Sequence, residues 1–175
     1  MKKGLLLTFL LISSLCIQAQ KVFIDKVNSE GERFIATSPC GFSLACFAKG
    51  SDTTWALTYY LGEKREIDRG RKMLIKLADG QIITLENDNQ IGPLDYETFF
   101  YSGSLHYVVQ PMYKISQKDI MSMTQKGIIK IRVETNIDVQ DRIEKDCKRF
   151  TKLFIKAYNN ITKSLRTNKT LYSNF

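Results

Sequence analysis

From Lys21 to Thr135 apolar and polar positions alternate in short runs, and from Val139 onward they recur at steps of three and four. Alternation at period two is the mark of strands, and recurrence near 3.6 that of an amphipathic helix. The strand-like runs are Lys21–Asn28, Arg33–Ser38, Phe42–Ala48, Thr53–Leu61, the two halves of Arg71–Glu86, Leu105–Ile115 and Ile128–Thr135. Gly and Asn/Asp/Ser clusters separate most of them, which is how turns are punctuated. The clearest unit is RKMLIKLADGQIITLE, two apolar runs joined at Ala78-Asp79-Gly80-Gln81. Asp-Gly between alternating hydrophobics predicts a β-hairpin, because Gly reaches the positive φ of a tight turn at little steric cost. Phe42–Leu61 predicts a second hairpin. In the first, both faces carry apolar residues (Met73, Ile75, Leu77 against Leu74; Ile83, Leu85 against Ile82), which predicts a sheet covered on two sides.

Two helices interrupt or follow the strands. Ser116-Gln117-Lys118-Asp119 reads as a helix start, with a capping hydroxyl and an acid in the first turn, and Gly127 as its stop. The second is predicted over 139–166, where Val139, Ile143, Cys147, Phe150, Phe154, Ala157, Tyr158, Ile161 and Leu165 share one stripe. Glu86–Ser104 reads as a long irregular segment, and loops of that length in a compact domain are often functional. Gly62–Gly70 reads as a charged, solvated connector. The fold class expected is mainly β: an antiparallel β-sandwich or curved sheet of seven or eight strands, with a short inserted helix and a long C-terminal amphipathic helix. Its core should include Ile75, Leu77, Ile83, Leu85, Val109, Ile131, Val133, Phe150 and Phe154.

The N-terminus changes the picture of where this domain works. Lys2 and Lys3 precede an apolar run, Leu5–Leu15, and Ala19 stands where a signal peptidase cuts. The run is shorter than the roughly 20 residues of a bilayer span, and no second stretch is longer. The expectation is a signal peptide over 1–19 and one β-rich domain over 20–175, exported to the periplasm or beyond and soluble after cleavage. Lipidation at Cys16 ranks lower, since Leu15 before it is large. Without Lys2 and Lys3, 24 basic residues face 18 acidic ones, a net charge of +6 that favours anionic surfaces or polymers. Cys40, Cys46 and Cys147 make an odd count, so at least one thiol is free in a monomer. Cys40 and Cys46 flank a strand too extended for a local bridge, and Cys147 lies inside the apolar stripe as a buried thiol.

The strand order, the IKLADGQIITLE hairpin, the Tyr113-Lys114-Ile115-Ser116 lead into a short helix and GIIKIRVET resemble a loose group of small exported bacterial β-rich proteins. The resemblance covers roughly 55–135 and implies no activity and no catalytic residues.

Four constellations are candidates for chemistry. Tyr96, Phe99, Phe100 and Tyr101 beside Asp95 and Glu97 suit stacking on a glycan or anchoring an envelope protein; burial of the rings under the loop is the plainer reading. Lys145, Arg149, Lys152, Lys156 and Lys163 fall on a narrow arc opposite the apolar stripe and suit lipid headgroups or an acidic polymer; a solvated helix face is the plainer reading. Glu86, Asn87, Asp88 and Asn89 carry oxygen ligands without the spacing of a calcium loop, so a polar turn is expected and no metal or other cofactor. Cys40 or Cys46 with His106 lacks any motif of a nucleophilic site. Export and the absence of interleaved aromatic and basic residues argue against nucleic acid. Two readings follow: a non-catalytic binding or interaction module for a glycan, an envelope protein or an anionic surface, and, as the alternative, a small hydrolase-like enzyme of the cell envelope.

Overall fold

The computed structural model describes residues 20–38, 41–61, 65–92, 97–101, 104–142 and 144–172; the side chains of 97–101, 104–107, 144–145 and 168–172 are outside the description. Among these residues the order is β1 (Val22–Val27), β2 (Arg33–Thr37), β3 (Phe42–Lys49), β4 (Asp52–Tyr59), β5 (Lys72–Leu77), β6 (Ile82–Glu86), β7 (Glu97–Tyr101), β8 (Ser104–Val108), β9 (Met112–Ile115), α1 (Gln117–Lys126), β10 (Ile128–Glu134), β11 (Val139–Arg142) and α2 (Glu144–Tyr172). The protein is mainly β, with two larger antiparallel sheets, the separate two-stranded pair β7–β8, one short helix and one long C-terminal helix among the described residues.

Each of the two larger sheets grows from a predicted hairpin. β3 and β4 pair from Phe42↔Tyr59 to Lys49↔Asp52, and β2, β1 and β9 extend them into the order β1-β2-β3-β4-β9. β5 and β6 pair from Lys72↔Glu86 to Lys76↔Ile82, and β10 and β11 extend them into β11-β10-β5-β6. The turn between β5 and β6 works as its sequence implies. Gly80 sits at φ 88°, its N–H donates to Leu77 O, and Leu77 N–H donates to Gln81 O. The sheets join where Asn87 bridges Tyr113, beside the end of β6 and within β9.

One core fills the space between them. Phe42, Leu44, Cys46 and Leu57 of the first sheet, Met73, Ile75, Ile131 and Val133 of the second, and Cys147, Phe150, Phe154, Ala157 and Ile161 of α2 belong to one buried cluster. α2 packs on β10 on one side and on β1, β2 and β3 on the other. Every core residue named from the sequence is buried. Full burial of a side chain such as Phe154 or Ile161 contributes about 1.5–3 kcal/mol. Ser116 caps α1, its hydroxyl accepting from Asp119 N–H at 3.1 Å, and Gly127 ends it at φ 77°.

The structure corrects several expectations. Residues 139–142 are a strand, not the first turn of the helix. Thr135 and Asp138 close a tight turn, the Thr135 hydroxyl donating to the Asp138 carboxylate at 2.6 Å. Arg132 then holds Asp141 across the β10–β11 pair at 2.8 and 2.9 Å. These contacts hold the segment to β10, and the helix starts two residues later and runs on to Tyr172. The run Glu86–Ser104 contains β7, which pairs with β8 from Glu97↔Val108 to Tyr101↔Ser104, so much of the supposed loop is a hairpin. Leu105–Ile115 splits around Gln110-Pro111 into β8 and β9. The outer face of the second sheet is open: Ile82 is 60 % exposed. The charged connector is partly inside. Arg65 is buried against Asp138 at 2.5 Å, and Ile67, fully buried, bridges Ile91.

Candidate functional site

Two surfaces concentrate polar and charged side chains. The first is the outer face of α2. At about 100° per residue, Arg149, Lys152, Lys156 and Lys163 fall on one arc, and Cys147, Phe150, Phe154, Ala157 and Ile161 on the opposite one. Arg149, Lys152 and Lys163 are exposed and Lys156 half-buried. No Asp or Glu follows Asp146, while Lys148, Arg149, Lys152, Lys156, Lys163, Arg166 and Lys169 are all cationic. The net charge of +6 over residues 20–175 therefore resides on this helix. Lys21 adds to the stripe, because it shares a shallow cleft of about 370 Å³ with Lys163, Ser164 and Thr167. Lys145 belongs to the arc by spacing, but its side chain is outside the described residues.

The second surface is a groove of about 930 Å³ at the seam of the two sheets. β4 contributes Thr53, Thr54 and Trp55, β6 Thr84, Leu85 and Glu86, β9 Lys114 and Ile115, and the start of α1 Ser116, Gln117 and Asp119. The seam is pinned by amides. Asn87, 1 % exposed, donates from Nδ2 to the carbonyl oxygens of Asp68 and Asn89, and its Oδ1 accepts from Met112 N–H at 3.2 Å. Asn89 Oδ1 also accepts from Met112 N–H, at 2.8 Å. Asp88 takes Lys114 at 2.9 Å and Arg69 at 3.0 Å, and these two cations hold its carboxyl below the usual range. Asn87-Asp88-Asn89 is thus a structural knot with Glu86 outside it, and among the described residues no group of three or more His, Cys, Asp or Glu side chains stands ready for a metal ion.

The other sequence candidates divide. Phe99, Phe100 and Tyr101 lie on β7, opposite His106, Leu105 and Ser104 of β8; their side chains, like Asp95 and Tyr96 altogether, are outside the described residues. Cys46 is a free, buried thiol pushed up to about 11 by burial, which keeps it protonated and unreactive at neutral pH. Cys147 is also buried, its thiol donating to Arg142 O at 3.7 Å; Cys40 is outside the described residues. The groove is what the sequence concealed. Its lining comes from four separated segments, brought together by the pairing of β4 with β9, the bridge from Asn87 to Tyr113 and the bond from Gly70 N–H to Asn87 O.

Among the described residues no helix is long and apolar enough to cross a membrane. No family model, no curated protein and no solved structure matches the chain.

Proposed function

We propose that this protein is an exported, non-catalytic module that docks on anionic lipid headgroups through the outer face of α2. The observation that carries the reading is the run of seven cations after Asp146 with no acid among them, four of them on one arc. Such a helix face gains little from folding, since like charges four apart oppose helix stability by a few tenths of a kcal/mol per pair. Near a negatively charged bilayer each Lys or Arg contributes about 1 kcal/mol. Four on one arc reach the affinity of a peripheral, reversible contact.

Export after cleavage at Ala19 is part of the proposal. Gln20, the residue after that bond, is fully buried; its Nε2 donates to Phe42 O at 3.3 Å and its Oε1 accepts from the Thr37 hydroxyl at 2.9 Å. Asn160 of α2 donates to Gln20 O at 2.8 Å. A chain beginning at Gln20 keeps these anchors, and N-terminal sequencing of the exported protein checks the cut.

The docking test is co-sedimentation of the mature protein with vesicles of phosphatidylglycerol mixed into phosphatidylcholine, at low and high salt. Binding should rise with the anionic fraction and fall with salt, because exposed charge contacts are screened. Replacing Lys152 and Lys163 together by Gln should weaken it roughly 25-fold, about fivefold per cation. Binding that ignores salt, or survives the double variant, removes the proposal. Capture by an acidic polysaccharide without capture by vesicles replaces the lipid with a polymer on the same stripe.

A further inference from the structure

We propose that the groove at the β4–β9–β6 seam binds an uncharged oligosaccharide, a ligand class that the cationic face of α2 does not serve. The volume of about 930 Å³ falls within the range of small-molecule sites. Its lining decides the chemistry by elimination. Arg69 and Lys114 share the one carboxylate of Asp88, at 3.0 and 2.9 Å, and with Glu86 and Asp119 the three carboxylates of the lining outnumber its two cations, so a phosphate or uronate meets net negative charge. The single aromatic residue in the lining, Trp55, is only 4 % exposed, so no ring stands free to stack on a nucleobase.

Hydrogen-bonding capacity remains. Thr53, Thr54 and Thr84 line the groove, and a threonine hydroxyl is donor and acceptor at once, the pairing that sugar hydroxyls offer in return. The Glu86 carboxylate is exposed and accepts no hydrogen bond from the described residues, so it is available to two neighbouring hydroxyls of one ring. Trp55 adds a second, independent sign: its indole N–H is buried and finds no acceptor among the described residues. A buried donor without a partner is uncommon in native proteins, and a hydroxyl oxygen entering the groove against Trp55 supplies one. The walls are rigid, because Trp55 is paired with Ile115 in the β4–β9 ladder and its ring packs on Tyr158 with centroids 5.4 Å apart. Tyr158 in turn accepts from Gln117 Nε2 at 2.6 Å, which ties α1 to the same wall.

Trp55 is the sole tryptophan of the chain, so the protein carries its own reporter. The experiment titrates the mature protein with neutral cello-, malto-, manno- and chito-hexaoses, following tryptophan emission and heat, at low and high salt. The expected result is a saturable emission shift with at least one of them, unaffected by salt. Glu86→Gln should weaken it about tenfold, since a charged acceptor is exchanged for a neutral one. Thr53→Tyr, at an exposed position on the groove wall, should abolish it while leaving the melting temperature in place. Three outcomes overturn the proposal: no shift and no heat with any member of the panel, a shift that survives Thr53→Tyr in a folded protein, or binding confined to a uronate oligosaccharide and lost in salt.

Discussion

The two long faces of α2 obey opposite rules. The inner face repeats Cys147, Phe150, Phe154, Ala157 and Ile161, all buried, and closes the hollow between two sheets. The outer face repeats cations, and those three or four residues apart repel one another. A helix of 29 residues is thereby divided into an apolar half that holds the fold and a cationic half turned away from the core. The comparison breaks most visibly at Phe154, fully buried and 6.0 Å from the Phe150 ring and 6.1 Å from that of Phe42. Phe154→Ala should lower stability by about 4 kcal/mol, a lost transfer term plus an unfilled cavity, read from urea unfolding monitored by circular dichroism. A loss below about 1 kcal/mol would mean that α2 is not the fold's third wall.

Between the two faces lies a polar clasp. Arg33, 11 % exposed in its side chain, binds Asp25 at 2.5 and 2.7 Å, and the Ser164 hydroxyl of α2 donates to the same carboxylate at 2.6 Å. The Arg33 hydrogen bond above all holds the Asp25 carboxyl below its usual value, burial working against it. A carboxylate whose folded-state pKa is depressed stabilises the protein above its unfolded pKa of about 3.9, and that stability is lost as pH falls through the folded value. Asp25→Asn should therefore cost about 2 kcal/mol at neutral pH, less than the 3–5 of a fully buried pair because Asp25 is partly wet. It should also flatten the fall of melting temperature below about pH 4. An unchanged acid limb in the variant would place the clasp outside the stability of the fold.

How far the sequence told of this division depends on how local each signal was. The β5–β6 hairpin was legible because Asp79-Gly80 and the flanking alternation lie within sixteen residues. So were the cap at Ser116, the stop at Gly127 and both stripes of α2. β11 was not, because Val139, Ile143 and Cys147 also fit a helical step, and what makes 139–142 a strand is Arg132 on another element. The groove was hidden for the same reason: Thr53, Glu86 and Ser116 become neighbours only through a sheet order that no single segment encodes. The second sheet was read as covered on both sides from composition. Ile82, 60 % exposed beside Lys76 and Lys130, shows that an apolar residue on an open face needs no cover. Ile82→Thr should shift stability by less than about 0.5 kcal/mol, and a larger loss in thermal melts would mean that this face is packed in solution.

The smallest expected effect is the most discriminating. Lys152 is exposed, with Lys148 and Arg149 a turn before it and Lys156 a turn after. Each like-charged neighbour at three or four residues opposes the helix by a few tenths of a kcal/mol. Lys152→Gln removes three such repulsions while keeping a residue of similar helix preference. The melting temperature should therefore rise slightly at low salt and converge with that of the wild type at high salt, where the repulsion is screened. In the same variant, binding to anionic vesicles should drop about fivefold. The two measurements move in opposite directions only if the outer face is maintained for a partner and against the interest of the fold. A fall in both would make Lys152 a structural residue and return the stripe to the ordinary surface of a basic protein.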